Sequence, residues 1–153
     1  LYRRIRGHVD LQDYLAPVLG RAVQIEIYPA GGVLPLETHI TNLNAAGDYI
    51  LKTDTLAPGN YDIYFKASHW LRRARFGVAV GPGGVGGVNV SLINADGDND
   101  NEVGIGDYAL LSAAYNSVLG DPSFNTETDF NGDDSVDIAD YAILSANYGL
   151  VGD

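Results

Sequence analysis

The chain has 153 residues, enough for one domain or two small ones, and its hydrophobic fraction of 46% is ordinary for a packed interior. The absence of cysteine excludes disulfides and thiolate metal sites, and no run of about 18 apolar residues offers a membrane span. Charge divides the chain: residues 1–93 hold all nine Lys and Arg against seven acids, whereas residues 94–153 hold thirteen acids and no Lys, Arg or His, which excludes nucleic acid as a partner of that part.

The start, Leu1-Tyr2-Arg3-Arg4, lacks the apolar core and cleavage site of a signal peptide, and methionine is absent altogether. The expectation is a mature fragment of a longer, exported bacterial protein. Residues 1–93 read as strands. Val23, Ile25 and Ile27 alternate with polar neighbours, as do Tyr61, Ile63, Phe65 and Ala67, and then Val88, Val90 and Leu92. Weaker alternation covers 5–11, 36–43, 48–53 and 74–80. Period-2 runs spaced about ten residues apart, separated by turns such as Gly31-Gly32, Pro58-Gly59-Asn60 and Gly81-Pro82-Gly83-Gly84, predict an antiparallel sandwich.

Within this part, His69-Trp70-Leu71-Arg72-Arg73 admits two readings. Trp70 is either the core anchor of the sandwich, with Arg72, Arg73 and Arg75 turned to the acidic part, or a platform that stacks on a sugar or grips a partner. His8, His39 and His69 are scattered and read as individual residues, not a shared metal site. Glu26 and Glu37 are a glycosidase pair only in name, since nothing beyond their presence supports one.

At Asn94 the character changes. Laying 96–116 over 129–149 gives eleven identities in 21 positions, among them Asp96/Asp129, Asp107/Asp140 and Tyr115/Tyr148. Two copies are too few for a solenoid and predict a paired unit with pseudo-twofold symmetry. Each copy opens with a twelve-residue acidic loop. Asp96, Asp98, Asp100 and Asp107 occupy positions 1, 3, 5 and 12 of the first; Asp129, Asn131, Asp133 and Asp140 occupy those of the second. Alternate oxygens pointing inward, closed by a carboxylate from a following helix, are what a hard cation needs, and the spacing is that of an EF-hand calcium loop.

Glu102 and Ser135 stand at position 7, where a backbone carbonyl serves. At position 9, Gly104 leaves room for water and Asp137 can act directly or through water. Position 8, Val103 and Val136, is expected to join a short bridge between the two loops. Position 6 departs from the usual Gly: Asn101 and Asp134 tolerate the left-handed turn and predict somewhat weaker affinity. Helices are predicted over Asp107–Asn116 and Asp140–Tyr148, burying Leu110, Leu111, Ala114 and Tyr115 in one and Ile143, Leu144 and Tyr148 in the other. A carboxylate within a helix's first turn is favoured by the dipole. A carboxylate field with no internal counter-charge calls for two calcium ions.

Over residues 94–153, the order loop, helix, linker, loop, helix resembles a dockerin. The carriers are Asp96 to Asp107, Asp129-Phe130-Asn131-Gly132-Asp133 with Val136 and Asp140, and the linker Asp121-Pro122-Ser123-Phe124-Asn125. The resemblance implies an all-α, EF-hand-like module that lacks the entering helix and binds a cohesin domain when calcium is present. It also implies a partner surface at loop positions 10 and 11 and on the following helix, here Ile105-Gly106, Ile138-Ala139, Ser112-Ala113 and Ser145-Ala146. The cellulosomal type often carries hydroxylated and basic residues there; this chain carries apolar or small ones. Gly47-Asp48-Tyr49 and Leu56-Ala57-Pro58-Gly59-Asn60-Tyr61-Asp62-Ile63 make residues 1–93 resemble a carboxypeptidase-regulatory or Cna-B-like sandwich. No Lys lies in the expected first strand, so the isopeptide bond of some Cna-B-like domains is not expected.

The sequence therefore predicts an immunoglobulin-like sandwich (1–93) followed by a calcium-loaded module (94–153), monomeric, without catalytic residues, and serving cohesin-type attachment. In the alternative, the calcium loops are purely structural, clamping the C-terminus on the sandwich, and a carbohydrate or other partner binds the sandwich near Trp70.

Overall fold

The computed structural model describes residues 2–153. Nine strands follow in chain order before the acidic region: β1 (Arg3–Leu11), β2 (Ala22–Pro29), β3 (Glu37–Asn42), β4 (Asp48–Thr53), β5 (Gly59–Lys66), β6 (His69–Trp70), β7 (Arg73–Val80), β8 (Gly84–Val85) and β9 (Val90–Leu92). The acidic region contains β10 (Asn94–Asp96), α1 (Ile105–Ala114), β11 (Ser117–Val118), β12 (Ser135–Val136) and α2 (Ile138–Asn147).

The chain divides into two compact units. The first comprises residues 1–10, 18–67 and 73–91, and the second comprises 11–17, 68–72 and 92–153.

The first unit is a β-sandwich. One sheet runs β4-β1-β8 with β9 also on β1; the other runs β3-β2-β5-β7. The alternation read from the sequence is the burial pattern: in β4, Tyr49, Leu51 and Thr53 are buried and their neighbours exposed. Ile5 and Val9 of β1 join Tyr49 and Leu51 on one inner face, and Val23, Ile25, Ile27, Ile63 and Phe65 line the other. The rings of Tyr49 and Phe65 meet edge-on at 5.6 Å between centroids, joining the two sheets. Each such side chain contributes about 1.5–3 kcal/mol by leaving water.

The arrangement is not wholly antiparallel, because β8 pairs with β1 in parallel. Gly84 permits this: its φ is +105°, and a Cβ there would lie 2.0 Å from the Arg4 carbonyl oxygen.

In the second unit the two helices pack over a core of Leu71, Ala95, Val103, Leu111, Ala114, Phe130, Val136 and Leu144. It is not the all-α module expected from the sequence. Each helix has ten residues, and four short strands stand beside them: β6 pairs antiparallel with β10, and β11 with β12.

The loops do not bridge one another through position 8 either. Val103 of the first donates its N–H to Leu150 O at 2.8 Å and accepts from Gly149 N at 2.7 Å, beyond α2. Val136 of the second accepts from Asn116 N at 2.8 Å, beyond α1, and pairs with Ser117. Each loop is thus zipped to the chain leaving the other repeat's helix. A ten-residue helix is too short to be stable alone, so its exit is fixed by strand pairing.

The expected boundary at 93/94 also differs, because residues 11–17 and 68–72 belong with the second unit. Trp70 lies there, fully buried, not in the sandwich core. His69 stacks on it at 3.8 Å, Tyr14 meets it edge-on at 5.2 Å, and its indole N–H donates to Gln12 O at 3.1 Å. On the helices, Leu111, Ala114 and Leu144 are buried as expected, while Leu110 and Ile143 are half-buried. Tyr115 and Tyr148 are exposed, not buried, because they cap the helix ends where the core has already closed.

Phe130, with no exposed surface, lies in the core that serves both repeats. Phe130→Ala is expected to cost about 3–5 kcal/mol. Urea unfolding followed at 222 nm checks it; a loss below about 1 kcal/mol contradicts this core.

Candidate metal centre and helix face

The first acidic loop brings its carboxylates together. Oxygen atoms of Asp96, Asp98, Asp100 and Asp107 all lie within 4.8 Å of one another, the one such group among the described residues. Local hydrogen bonds account for the gathering. Asp100 N–H donates to Asp98 Oδ1 at 3.1 Å, Glu102 N–H to Asp100 Oδ1 at 2.9 Å, and Asn101 N–H to Asp96 Oδ2 at 3.1 Å.

Asp107 closes the loop. Its Oδ1 accepts from Asp98 N at 3.1 Å and its Oδ2 from Gly104 N at 2.7 Å. Because α1 begins at Ile105, two residues earlier than predicted, Asp107 sits at the third helical position and satisfies the N-cap N–H.

The second loop repeats the pattern. Asp129 Oδ1 accepts from Gly132 N at 3.0 Å and Asp133 N at 3.1 Å, and its Oδ2 from Asp134 N at 2.9 Å. Asp140 accepts from Asn131 N at 3.2 Å and Asp137 N at 2.9 Å. Here Asn131 Nδ2 donates to Asp133 Oδ2 at 3.2 Å, so an amide at position 3 relieves one like-charge contact.

The remaining predicted ligands divide. Asp137 is occupied as the N-cap of α2, with Oδ1 accepting from Ala139 N at 2.9 Å. The Glu102 side chain is exposed; its backbone bridges to Val151, as Ser135 pairs with Val118.

The donors are all hard oxygens with the net charge a divalent cation requires, so the residues fit calcium. The metal-free electrostatics agree. Burial pushes Asp140 from its ordinary 3.8 up to about 6, with the charge of Asp129 adding to the rise. Asp129 is raised by burial and by Asp133, and Asp98 by desolvation and then by Asp107 and Asp100.

Two of the predicted partner residues, Ser112 and Ile138, line a common groove. Ile105 and Ile138 are 71% and 65% exposed, and Ser112, Ala113, Ser145 and Ala146 are exposed on the helices. Tyr108, Leu111, Ser112, Tyr115, Ile138 and Tyr141 line a groove of about 350 Å³ there, with the rings of Tyr108 and Tyr141 edge-on at 6.4 Å. The tyrosines were missed as surface residues. Their identity in both repeats was the available signal.

The other marked residues do not assemble into a site. His8 pairs with Asp48 at 3.0 Å, His39 with Glu37 at 2.7 Å, and His69 is fully buried against Asn94 at 2.8 Å. Glu26 and Glu37 face opposite sides of their sheet, since Glu37 registers with the core residue Ile27. Burial opposes ionisation of Glu37, but bonds from Thr55, His39 and Thr53 hold its carboxyl below the ordinary value. Arg72 reaches Asp153 O at 3.3 Å, and Arg75 bonds Asn89 O. Full burial of Trp70 removes it as a sugar platform.

This fold has been solved elsewhere. A chain of a type II cohesin–X-dockerin complex from Acetivibrio cellulolyticus, an N-terminal interface mutant, matches with TM-score 0.77 and 17% identity over 98% of this chain and 97% of that one. A C-terminal interface mutant of the same complex matches with TM-score 0.74 and 17% identity over the same shares. At that identity the likeness is one of fold. No family model matches the chain, and no curated protein does. Among the described residues, no helix is long and apolar enough to cross a membrane.

The raised Asp140 sets a pH dependence. A carboxyl whose folded pKa exceeds its unfolded one stabilises fully below about 4, and that contribution is lost as pH rises through about 6. With calcium chelated, the helix-bearing unit should therefore melt higher at pH 5 than at pH 7. The increase in Tm on adding calcium should shrink over the same interval, because protons and calcium compete for Asp140. Thermal melts at 222 nm check both; a chelated Tm that falls on acidification contradicts the burial of this carboxylate.

Proposed function

We propose that the second unit binds two calcium ions and, so ordered, presents its helix face to a cohesin-type domain, giving the chain a dockerin-like role in attachment of an extracellular bacterial protein. The observation that carries this reading is the convergence of four carboxylates within 4.8 Å in a stretch of 60 residues without a Lys, Arg or His. Asp96, Asp98, Asp100 and Asp107 would hold one ion and Asp129, Asn131, Asp133 and Asp140 the other, with position-7 carbonyls of Glu102 and Ser135. The ion supplies the positive charge these loops lack. Calcium that binds only the folded form stabilises it by about 2.7 kcal/mol at a hundredfold excess over Kd.

Two further features support attachment. Ile138, Tyr108, Tyr141 and Tyr115 line an exposed apolar and aromatic groove without charged lining residues, the composition of an interface centre, and Ile105 is exposed at the matching position of the first repeat. The full-length structural match is to a chain from complexes that join a cohesin to an X-dockerin. The paired acidic loops favour the dockerin role.

A second reading makes the calcium loops purely structural and gives a ligand to the sandwich. Its support is a row of rings, Tyr28, Tyr64 and Phe76, with centroids 4.9 and 6.0 Å apart in sequence and Phe76 64% exposed.

Calorimetric titration of the EDTA-treated protein should show two calcium ions bound with a gain of helix by circular dichroism. Capture on an immobilised type II cohesin should require calcium and be lost with EDTA. Replacing Ile105 and Ile138 together by Lys should weaken capture at least tenfold, about 1.4 kcal/mol, with calcium binding intact. Capture by an immobilised dockerin in place of the cohesin would reverse the assigned role. Calcium binding with no capture by either, together with polysaccharide binding lost in Phe76→Ala, would favour the second reading.

A further inference from the structure

The two acidic loops are alike inside and different outside. In both, the position-6 N–H holds the position-1 carboxylate, and the position-6 carbonyl accepts from the chain leaving the other helix: Gly152 N to Asn101 O at 2.9 Å, and Leu119 N to Asp134 O at 2.9 Å. Loop 1 adds a further layer. Asn101 Oδ1 accepts the backbone N–H of Arg72 at 2.7 Å, and Asn99 Oδ1 accepts that of His69 at 2.9 Å. Arg72 O in turn accepts from Asp153 N at 2.9 Å, and Asn101 Nδ2 donates to Asp153 O at 3.3 Å.

Asn99 and Asn101 both adopt left-handed backbone, φ 60° and 71°, where glycine would be easier. Loop 2 is tethered differently: its bond to segment 11–17 runs from Leu15 N–H to Asn131 O at 2.8 Å, a backbone carbonyl at position 3 and not a side chain. Gly132, at position 4, has the Tyr14 ring where a side chain would go, 2.3 Å from a Cβ placed there. Asp134, at position 6, holds no comparable segment among the described residues.

We infer that Asn99 and Asn101 are positioning residues through which the strand segment 68–72 sets the calcium affinity of loop 1 alone. This rests on the calcium reading above. An unbroken line of bonds runs from Arg72 N–H through the Asn101 side chain and the Asn101 N–H to the Asp96 carboxylate. The segment is itself held by stacking of His69 on Trp70 and by pairing of β6 with β10, which leads directly into Asp96. Loop 1 concentrates four carboxylates where loop 2 has three and an amide, so it has the greater repulsion to restrain before the ion arrives. An outside anchor on positions 4 and 6 reduces the ordering left for the ion to drive.

The test is an amide NMR titration with calcium, reading loop 1 at Val103 and loop 2 at Val136. Replacing Asn99 and Asn101 together by Gly gives loop 1 glycines at positions 4 and 6 and removes the tethers to His69 and Arg72, along with the Asn99 bond to Glu127 and the Asn101 bond to Asp153. Asp134→Gly gives loop 2 the same pair of glycines and serves as the control for added flexibility. The double variant should weaken the Val103 midpoint about tenfold with Val136 unmoved, the worth of one or two hydrogen bonds. Asp134→Gly should shift Val136 by no more than about threefold. In the unmodified protein, exchange of the His69 and Arg72 amides should slow when calcium is added, a readout that needs no variant. Equal midpoints in the double variant, or exchange indifferent to calcium while both loops fill, overturns the inference and leaves the calcium reading standing. Absence of any calcium response at Val103 and Val136 in the unmodified protein overturns both.

Discussion

The second unit depends on one arrangement: a buried carboxylate at the third position of each helix. Asp107 and Asp140 are almost without exposed surface, and each divides its oxygens between the helix N-cap and the third residue of its loop. Helix start and loop curvature are consequently a single construction. A charge placed so deep is costly unless hydrogen bonds and an opposite charge meet it. The N–H groups supply the first; no side chain of residues 94–153 can supply the second. The acidic loops thus carry their carboxylates without a cationic side chain from their own stretch, and under the calcium reading proposed above an ion would supply the missing charge.

From that construction the remaining geometry follows. Short helices fixed at their N-termini by the loops still need their exits fixed. They obtain this by exchange, the chain after α1 pairing with loop 2 and the chain after α2 pairing with loop 1. Neither repeat can be complete while the other is unfolded, since each supplies a strand to its partner's loop. The shared core of Phe130, Leu111 and Leu144 reinforces the same dependence.

Much of this was legible in the residues. Alternation, clear in three segments and weaker in four, marked seven of the sandwich strands to within a few positions, because period-2 burial is local and repeats over several residues. The internal repeat and ligand spacing marked the loops for the same reason. What could not be read was whatever rests on contacts distant in sequence. Segments 11–17 and 68–72 are short and aperiodic, and only backbone bonds such as Leu15 N to Asn131 O and Leu71 N to Ile93 O show where they belong. Of the two readings of Trp70, burial favours the anchor, but for that reason its place in the second unit and not the sandwich could not be read. Position-8 pairing differs from the expectation because the partner of each valine lies just beyond the other repeat's helix, a contact distant in sequence that loop spacing does not reveal. Tyr115 and Tyr148 follow the helical period yet are exposed, since that period does not say where a small core ends.

The interleaving of the second unit also constrains where the chain can be divided. A module encoded by one uninterrupted stretch can pass between genes through a single pair of breakpoints. This unit takes residues 11–17 and 68–72 from within the β-rich stretch, so a cut near residue 93 would carry away the acidic loops and leave behind Tyr14, His69 and Trp70. A breakpoint that keeps the second unit whole therefore has to lie before residue 11.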